Sequence, residues 1–159
     1  MLRPTGSQAA RAQELHKRLE DYMQRKRLRS TEQRRIVTDV FFHSPGHLSI
    51  EELLALSRKK NPHVGYATVY RTLKLLTESG LANERHFGDG ISRYEIAYKG
   101  THHDHLICTN CGNIEEFEDS RIERLQTEIA TKYGFELKSH KHELYATACP
   151  KCKKQKNSA

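Results

Sequence analysis

The sequence predicts an α+β fold made of two small modules, and three observations support this prediction. Helix-period and strand-period patterns fall into two groups, one on each side of residues 98–101. Only 36% of the residues are hydrophobic and 30% are charged, so 159 residues are not expected to form one large core. Four cysteines in two closely spaced pairs indicate that metal binding stabilises the second module.

The chain lacks the marks of a membrane or secreted protein. It has no run of about 18 apolar residues, and its N-terminus has no apolar stretch of the signal-peptide type. We therefore expect a cytoplasmic protein with no membrane partner. In that reducing compartment, cysteines are expected to bind metal rather than to form disulfides.

The positive charge is concentrated in the first module. Residues 101–159 hold nine basic and nine acidic side chains, so the whole formal surplus of +7 lies in residues 1–100. Such a surplus is typical of a surface that binds nucleic acid. An ordinary solvated basic surface is the alternative.

The first module begins with helical patterns that follow a flexible tail over residues 1–13. Spaced apolar residues mark the buried face of each helix, and capping-box spacings mark two of the helix starts. The predicted helices cover 14–24, a segment opened by the Ser30–Gln33 capping box and ended by Pro45-Gly46, a short segment opened by Ser49–Glu52, and 67–79.

Two strand patterns, over 81–87 and 91–97, surround Gly88-Asp89-Gly90, a turn whose residues tolerate positive φ. Three helices and a β-hairpin in a basic segment predict a winged helix-turn-helix domain over residues 14–97. Its 67–79 helix would lie in the major groove of DNA. The face of that helix opposite its apolar stripe would contact phosphates or base edges, unless its side chains are ordinary surface residues. This face carries Thr68, Tyr70, Arg71 and Lys74.

The second module covers residues 102–152, after a hinge at 98–101 and before a disordered tail at 153–159. Patterns predict strands at 105–107, 114–118, 135–138 and 143–148 and an amphipathic helix at 120–133. Cysteines at 108 and 111, and again at 149 and 152, have the spacing that places two sulfurs on one metal, so four thiolates would form a closed tetrahedral zinc site. Two redox disulfides are the alternative.

Histidines and an aspartate crowd the start of this module. Because side chains alternate along a strand, His103 and His105 face one way while His102 and Asp104 face the other. The cluster therefore divides into two potential ligand sets, each of which needs distant partners. The downstream candidates are Glu115, Glu116, Glu118, Glu123, His140 and His142.

Several segments resemble one known family. Residues 65–73, Gly-Tyr-Ala-Thr-Val-Tyr-Arg-Thr-Leu, are similar to the recognition helix of ferric uptake regulators. Residues 102–112, with His-His-Asp-His-Leu-Ile-Cys-x-x-Cys-Gly, look like their metal-binding signature, and Ser139-His140 followed by the last cysteine pair matches their C-terminal end. The resemblance covers roughly residues 14–152. It implies a dimeric, metal-activated transcriptional repressor that binds double-stranded DNA and has a C-terminal α/β dimerisation domain.

The resemblance also implies a role for each candidate residue. A structural zinc site, a sensory site at the hinge and a second site within the dimerisation domain would bind metal, and two further arginines would contact the DNA backbone or minor groove. The structural site has Cys108, Cys111, Cys149 and Cys152; the sensory site has His47, Glu95, His103, His105 and Glu116; the second site has His102, Asp104, Glu123 and His140; the arginines are Arg29 and Arg34.

Glutamate at positions 95 and 116 resembles the iron-sensing members, whereas peroxide sensors typically carry aspartate there and zinc sensors usually place a cysteine in the sensory site. The resemblance thus implies an Fe2+-responsive repressor of iron-homeostasis genes, with Zn2+ as the structural metal and Mn2+ or Zn2+ able to replace Fe2+ in vitro. A peroxide-sensing repressor is the alternative. An enzyme is not expected, although His103-Asp104-His105 superficially resembles dinuclear metallohydrolases, which need an open coordination position.

Overall fold

The computed structural model describes residues 6–97 and 103–152, and the chain divides into two units, Met1–Lys99 and Gly100–Ala159. The predicted hinge at 98–101, the tail at 153–159 and His102 lie outside the described residues. Within the described residues, no helix is both long and apolar enough to cross a membrane.

The first unit combines helices with a small antiparallel sheet. The sheet has the order β1 (Leu48–Ser49), β3 (Ser92–Ile96), β2 (Ala82–His86), so the short β1 and the β2–β3 hairpin form the wing. The last three helices described in this unit, followed by this hairpin, confirm the predicted winged helix-turn-helix. The elements are α1 (Gly6–Arg25), α2 (Glu32–His43), β1 (Leu48–Ser49), α3 (Ile50–Arg58), α4 (Tyr66–Glu78), β2 (Ala82–His86) and β3 (Ser92–Ile96).

One continuous hydrophobic core holds the first unit together. Val69, Leu73 and Leu76, the predicted buried stripe of α4, are fully buried together with Leu53 of α3. The capping box that opens α3 is present, because the Glu52 N–H donates to Ser49 Oγ and the Ser49 N–H donates to the Glu52 carboxylate. The core thereby fixes which face of α4 points outward.

Two boundaries in the first unit differ from the prediction. Residues 6–13 were predicted as a flexible tail, but α1 begins at Gly6 because Ala12, buried beside Leu15, extends the apolar stripe by a turn. The alanines of this segment, Ala9, Ala10 and Ala12, are only weakly hydrophobic, so they give little periodic signal. The N-cap of α2 is Thr31 rather than Ser30, and its side chain accepts a hydrogen bond from the Arg34 N–H.

The second unit is a three-stranded sheet with one helix. The strand order is β5-β4-β6, with β4 antiparallel to β5 and parallel to β6. The predicted strand at 135–138 is wrong, because this exposed segment lies beside no strand and the parallel β6 already covers that edge of β4. The elements are β4 (Asp104–Cys108), β5 (Ile114–Phe117), α5 (Ser120–Lys132) and β6 (Glu143–Ala146).

The second unit has almost no apolar core of its own. Among residues 103–152, the buried apolar side chains are Ile107 and Cys108. Helix α5 buries none of its residues, and its apolar side chains Leu125 and Ile129 are 56% and 50% exposed. A unit of this kind needs other sources of stability, such as bound metal or a partner surface.

Candidate metal centres and nucleic-acid interface

The four cysteines lie together at one end of the second unit. Cys108 ends β4 and Cys111 lies in the following turn, while Cys149 and Cys152 follow β6. The Sγ–Sγ distances are 3.7 Å for Cys108–Cys152, 3.5 Å for Cys111–Cys149 and 3.7 Å for Cys149–Cys152. Sulfurs at the corners of a tetrahedron with zinc–sulfur bonds of about 2.3 Å would lie about 3.8 Å apart. The donor set therefore fits zinc, and no disulfide joins these cysteines.

Hydrogen bonds shift the pKa values of two of these sulfurs in opposite directions. The pKa of the Cys108 thiol is lowered to about 6, chiefly because the Cys149 N–H donates to it, and the N–H groups of Asn110 and Cys111 also contribute. The pKa of Cys152 is raised to about 12, chiefly by its hydrogen bond with Cys111. Neighbouring thiolates repel one another, so all four sulfurs ionise together only around a positive ion.

A second donor cluster lies where β4 meets α5. Asp104, at the start of β4, is buried, and one of its carboxylate oxygens is 3.6 Å from His140 Nε2. His140 Nε2 is also 3.3 Å from a carboxylate oxygen of Glu123, which α5 supplies. Donors bound to one ion through bonds of about 2.1 Å would be about 3.4 Å apart, so these three side chains could hold a divalent metal.

His47 and Glu95 meet in the first unit, as two of the predicted sensory residues. His47 precedes β1 and Glu95 lies in β3; His47 Nε2 is 2.7 Å from one oxygen of the Glu95 carboxylate. The His47 ring also packs edge-on against Phe87, with 5.4 Å between centroids. These contacts orient an imidazole nitrogen and a carboxylate oxygen toward each other, a donor pair that suits Fe2+, Mn2+ or Zn2+.

The other oxygen of Glu95 is held by two residues that the sequence reasoning missed. Arg85 Nε donates to it over 2.9 Å, and Asn83 Nδ2 donates over 3.2 Å. Both residues lie in β2, in register with β3, so Asn83 is directly opposite Glu95. The hairpin alternation predicts this shared face once the register is known. A guanidinium at this place favours the ionised carboxylate and competes with a bound cation.

The three remaining sensory candidates meet in the second unit. His105 lies directly opposite Glu116 in the β4–β5 register, and the rings of His103 and His105 have centroids 5.1 Å apart. His103 Nε2 is 3.8 Å from a Glu116 carboxylate oxygen. The strand alternation thus separates these donors from Asp104, as the sequence predicts.

The outward face of α4 carries most of the predicted DNA-contacting residues. Tyr70, Arg71 and Lys74 are exposed, and Tyr66 joins them at the start of the helix. Tyrosine, arginine and lysine side chains can contact phosphates and base edges together, and Arg71 has the geometry for bidentate contact with guanine.

The other predicted DNA contacts are partly engaged within the protein. Thr68 is half-buried, and its hydroxyl donates to Gln33 Oε1 over 3.3 Å, because α4 packs here against the start of α2. The Gln33 amide donates in turn to the His63 carbonyl, so it supports the loop before α4. Arg34 is half-buried and donates to the Arg29 carbonyl, whereas the Arg29 side chain is exposed.

A winged-helix unit with an exposed basic face, together with a unit that gathers metal-binding side chains, defines a metal-dependent DNA-binding regulator. Residues 25–145 match the model of the ferric uptake regulator family. A ferric uptake regulation protein of Campylobacter jejuni is 44% identical over 131 residues, covering 81% of this chain and 82% of its own length. The chain belongs to the ferric uptake regulator family.

Two solved structures are similar to this chain. The ferric uptake regulator of Helicobacter pylori, described with three functional metal-binding sites, has a TM-score of 0.81 and 34% identity, over 89% of this chain and 93% of its own. The regulator of Francisella tularensis, solved with iron, has a TM-score of 0.70 and 30% identity, over 79% of this chain and 95% of its own.

Proposed function

We propose that this protein is an Fe2+-responsive transcriptional repressor that acts as a homodimer in the cytoplasm and controls iron-homeostasis genes. The observation that carries this proposal is the pair of donor sets, His47 with Glu95 and His103 with His105 and Glu116. They combine imidazole and carboxylate donors without a thiolate. Such a donor set suits Fe2+ better than the cysteine-containing donor set of a zinc sensor does.

In this proposal, the four cysteines hold a structural Zn2+ that joins the two ends of the second unit. Cys108 and Cys111 precede β5, while Cys149 and Cys152 follow β6, so one ion closes the chain between them. Four thiolates leave no open position, so this site would stabilise the fold and would not react.

The sensory residues would link regulation to DNA binding. His47 and Glu95 belong to the first unit and the other three sensory residues to the second, so a shared Fe2+ would favour one arrangement of the two units. If only that arrangement binds the operator, the apparent affinity without metal equals the intrinsic affinity multiplied by the fraction of molecules that adopt the arrangement. A bound cation would supply positive charge that offsets the negative charge of the carboxylates that ligate it.

DNA recognition would rest on α4, with Tyr70 and Arg71 reading base edges and Lys74 contacting phosphates. Arg29 would contact the backbone or minor groove, while Arg34 and Thr68 would position the loop and helix around it. Two such helices in a dimer would reach two half-sites of the operator.

The dimer would form through the apolar face of the second unit. Leu125, Ile129 and Tyr133 lie on one side of α5, and each is at least half exposed. Leu144 of β6 and Phe135 extend the exposed apolar surface. Surfaces of this kind usually mark a protein interface, and covering them would supply the core that this unit lacks.

A gel-shift titration with Fe2+ and with Mn2+ under anaerobic conditions tests the proposal. We expect operator binding to tighten with either metal in the native protein and to respond much less in His103→Ala. Operator binding that is independent of both metals would contradict the sensory role. A gain of one oxygen on a histidine after dilute peroxide, seen by mass spectrometry, would favour the peroxide sensor, and metal-dependent hydrolysis of generic phosphate or ester substrates would favour the enzyme.

A further inference from the structure

We propose that His142 is an additional metal ligand of the Asp104–Glu123–His140 centre, through its Nδ1 atom. This inference deepens the proposed function and rests on its second metal site. The His142 Nδ1 atom lies 3.3 Å from an oxygen of the Asp104 carboxylate. The other oxygen of that carboxylate is the one 3.6 Å from His140 Nε2, so Asp104 lies between two imidazoles.

Strand pairing places His142 at this centre. β4 and β6 are parallel, with His105 opposite Glu143, and the His105 N–H donates to the His142 carbonyl over 3.2 Å. One residue earlier, Asp104 therefore lies opposite His142, and residues opposite each other in a sheet present their side chains to the same face. His140, two residues earlier, reaches the same carboxylate, with its Nε2 atom 3.6 Å from the other Asp104 oxygen. The face that carries Asp104 thus collects two imidazoles from the segment before β6.

The surroundings of His142 fit a ligand better than a hydrogen-bonded structural histidine. Its Nδ1 atom is buried and makes no hydrogen bond to any described residue. The 3.3 Å separation from Asp104 is close to the spacing of about 3.4 Å expected for two donors on one ion with bonds of about 2.1 Å. Phe117 packs edge-on against the ring, with 6.0 Å between centroids, and limits its rotation. The nitrogen therefore faces the Asp104 carboxylate from a restrained ring.

A further imidazole would change which metals the centre prefers. The residues already assigned to it, His102, Asp104, Glu123 and His140, combine two carboxylates with two imidazoles, a mixed donor set that also suits Mn2+. With His142 the set would have three imidazole nitrogens, and imidazole suits Zn2+, Fe2+ and Co2+ more than it suits Mn2+. His142 would therefore make this centre selective against Mn2+ while leaving the sensory donors unchanged.

Co2+ binding to the zinc-loaded full chain tests the inference in a His103→Ala background, which weakens the sensory set. His142→Leu removes the nitrogen, His142→Gln keeps a hydrogen-bond donor for Asp104, and Lys141→Leu is the control at the neighbouring exposed position. Affinity is measured by competition with a chelator dye, and the coordination change is read from the visible Co2+ bands. The affinity for Mn2+ is obtained from the free Mn2+ concentration, which is measured by electron paramagnetic resonance.

We expect both His142 variants to lose about 10-fold or more in Co2+ affinity, and less than about threefold in Mn2+ affinity, with altered Co2+ bands. The control should match its parent. Recovery of Co2+ affinity in His142→Gln would show that His142 only orients Asp104 through a hydrogen bond, and would overturn ligation. Unchanged affinity in both variants would overturn the inference while leaving the second site intact. Failure of the parent to bind Co2+ at this centre would instead reject the site itself.

Discussion

Replacing Ile129 with glutamate should separate the proposed homodimer into monomers. Ile129 lies at the middle of the exposed apolar stripe of α5 and is 50% exposed in the single chain. Fully burying an isoleucine side chain stabilises by about 1.5–3 kcal/mol, so covering the exposed half contributes about 1 kcal/mol per protomer. In a two-fold symmetric interface each residue is present twice, which makes about 2 kcal/mol per dimer.

The introduced carboxylate adds a second cost. A polar group buried in an interface without a partner destabilises by at least about 1 kcal/mol in each protomer. Together the two effects weaken the dimer by about 4 kcal/mol, which corresponds to a dimer Kd that rises nearly a thousandfold.

Sedimentation equilibrium of the zinc-loaded protein measures this shift. Thr127→Glu is the matched control, since Thr127 is exposed on the opposite side of the same helix and gains the same charge. The control should keep the native dimer Kd. If Ile129→Glu changes the Kd less than about tenfold, or if the control changes it equally, the α5 stripe is not the dimer interface.

Three structural features and one surface charge give further predictions. Cys149→Ser, or removal of zinc by a chelator, should abolish hydrogen-exchange protection in the second unit and leave the first unit protected, because only the first has an apolar core; equal protection in both units would contradict this. Lys74→Ala should lower the magnitude of the slope of log affinity against log salt by about 1.8, since a dimer loses two phosphate contacts of about 0.9 each, and an unchanged slope would show that Lys74 contacts no phosphate. Arg85→Gln should lower the Mn2+ concentration needed for half-maximal operator binding, because it removes the guanidinium that competes with metal for the Glu95 carboxylate. A higher Mn2+ requirement would refute that competition. Burial alone would raise the pKa of Asp39, but its hydrogen bond with Lys60 leaves the pKa lower in the folded protein than its unfolded value near 3.8. The Asp39 carboxylate therefore stabilises the fold above that unfolded value, and this contribution is lost as pH falls through the folded pKa. Urea midpoints at pH 5 and pH 3 should therefore differ less in Asp39→Asn than in the native protein, and an equal difference would contradict the linkage.

Much of the grouping of the metal-binding side chains could be predicted, because it depends on residues that are close together in the sequence. The two Cys-x2-Cys pairs each place two sulfurs in one turn, and the structure brings all four within 4.8 Å. Alternation along β4 separates His103 and His105 from Asp104, as a two-residue period requires. The apolar stripe of α4 predicts which side chains of that helix point outward, and Thr68 departs from it because it packs against α2.

Other features depended on contacts between segments that are distant in sequence. Whether Arg85 reaches Glu95 depends on the register of the hairpin, and whether His142 reaches Asp104 depends on the parallel pairing of β4 with β6. The predicted strand at 135–138 fails for the same reason, since a strand-like pattern needs a free sheet edge beside it. Gln33 gains its role only through its hydrogen bonds to Thr68 and His63.

The sequence by itself determined the two modules, the family, the two cysteine pairs and the division of the histidines, because periodicity and short spacings specify local geometry. Only the tertiary structure decided which donors lie beside Asp104 and Glu95, because strand register and pairing direction place distant residues side by side. It also decided that the second unit buries almost no apolar surface alone, since burial depends on what packs against each face.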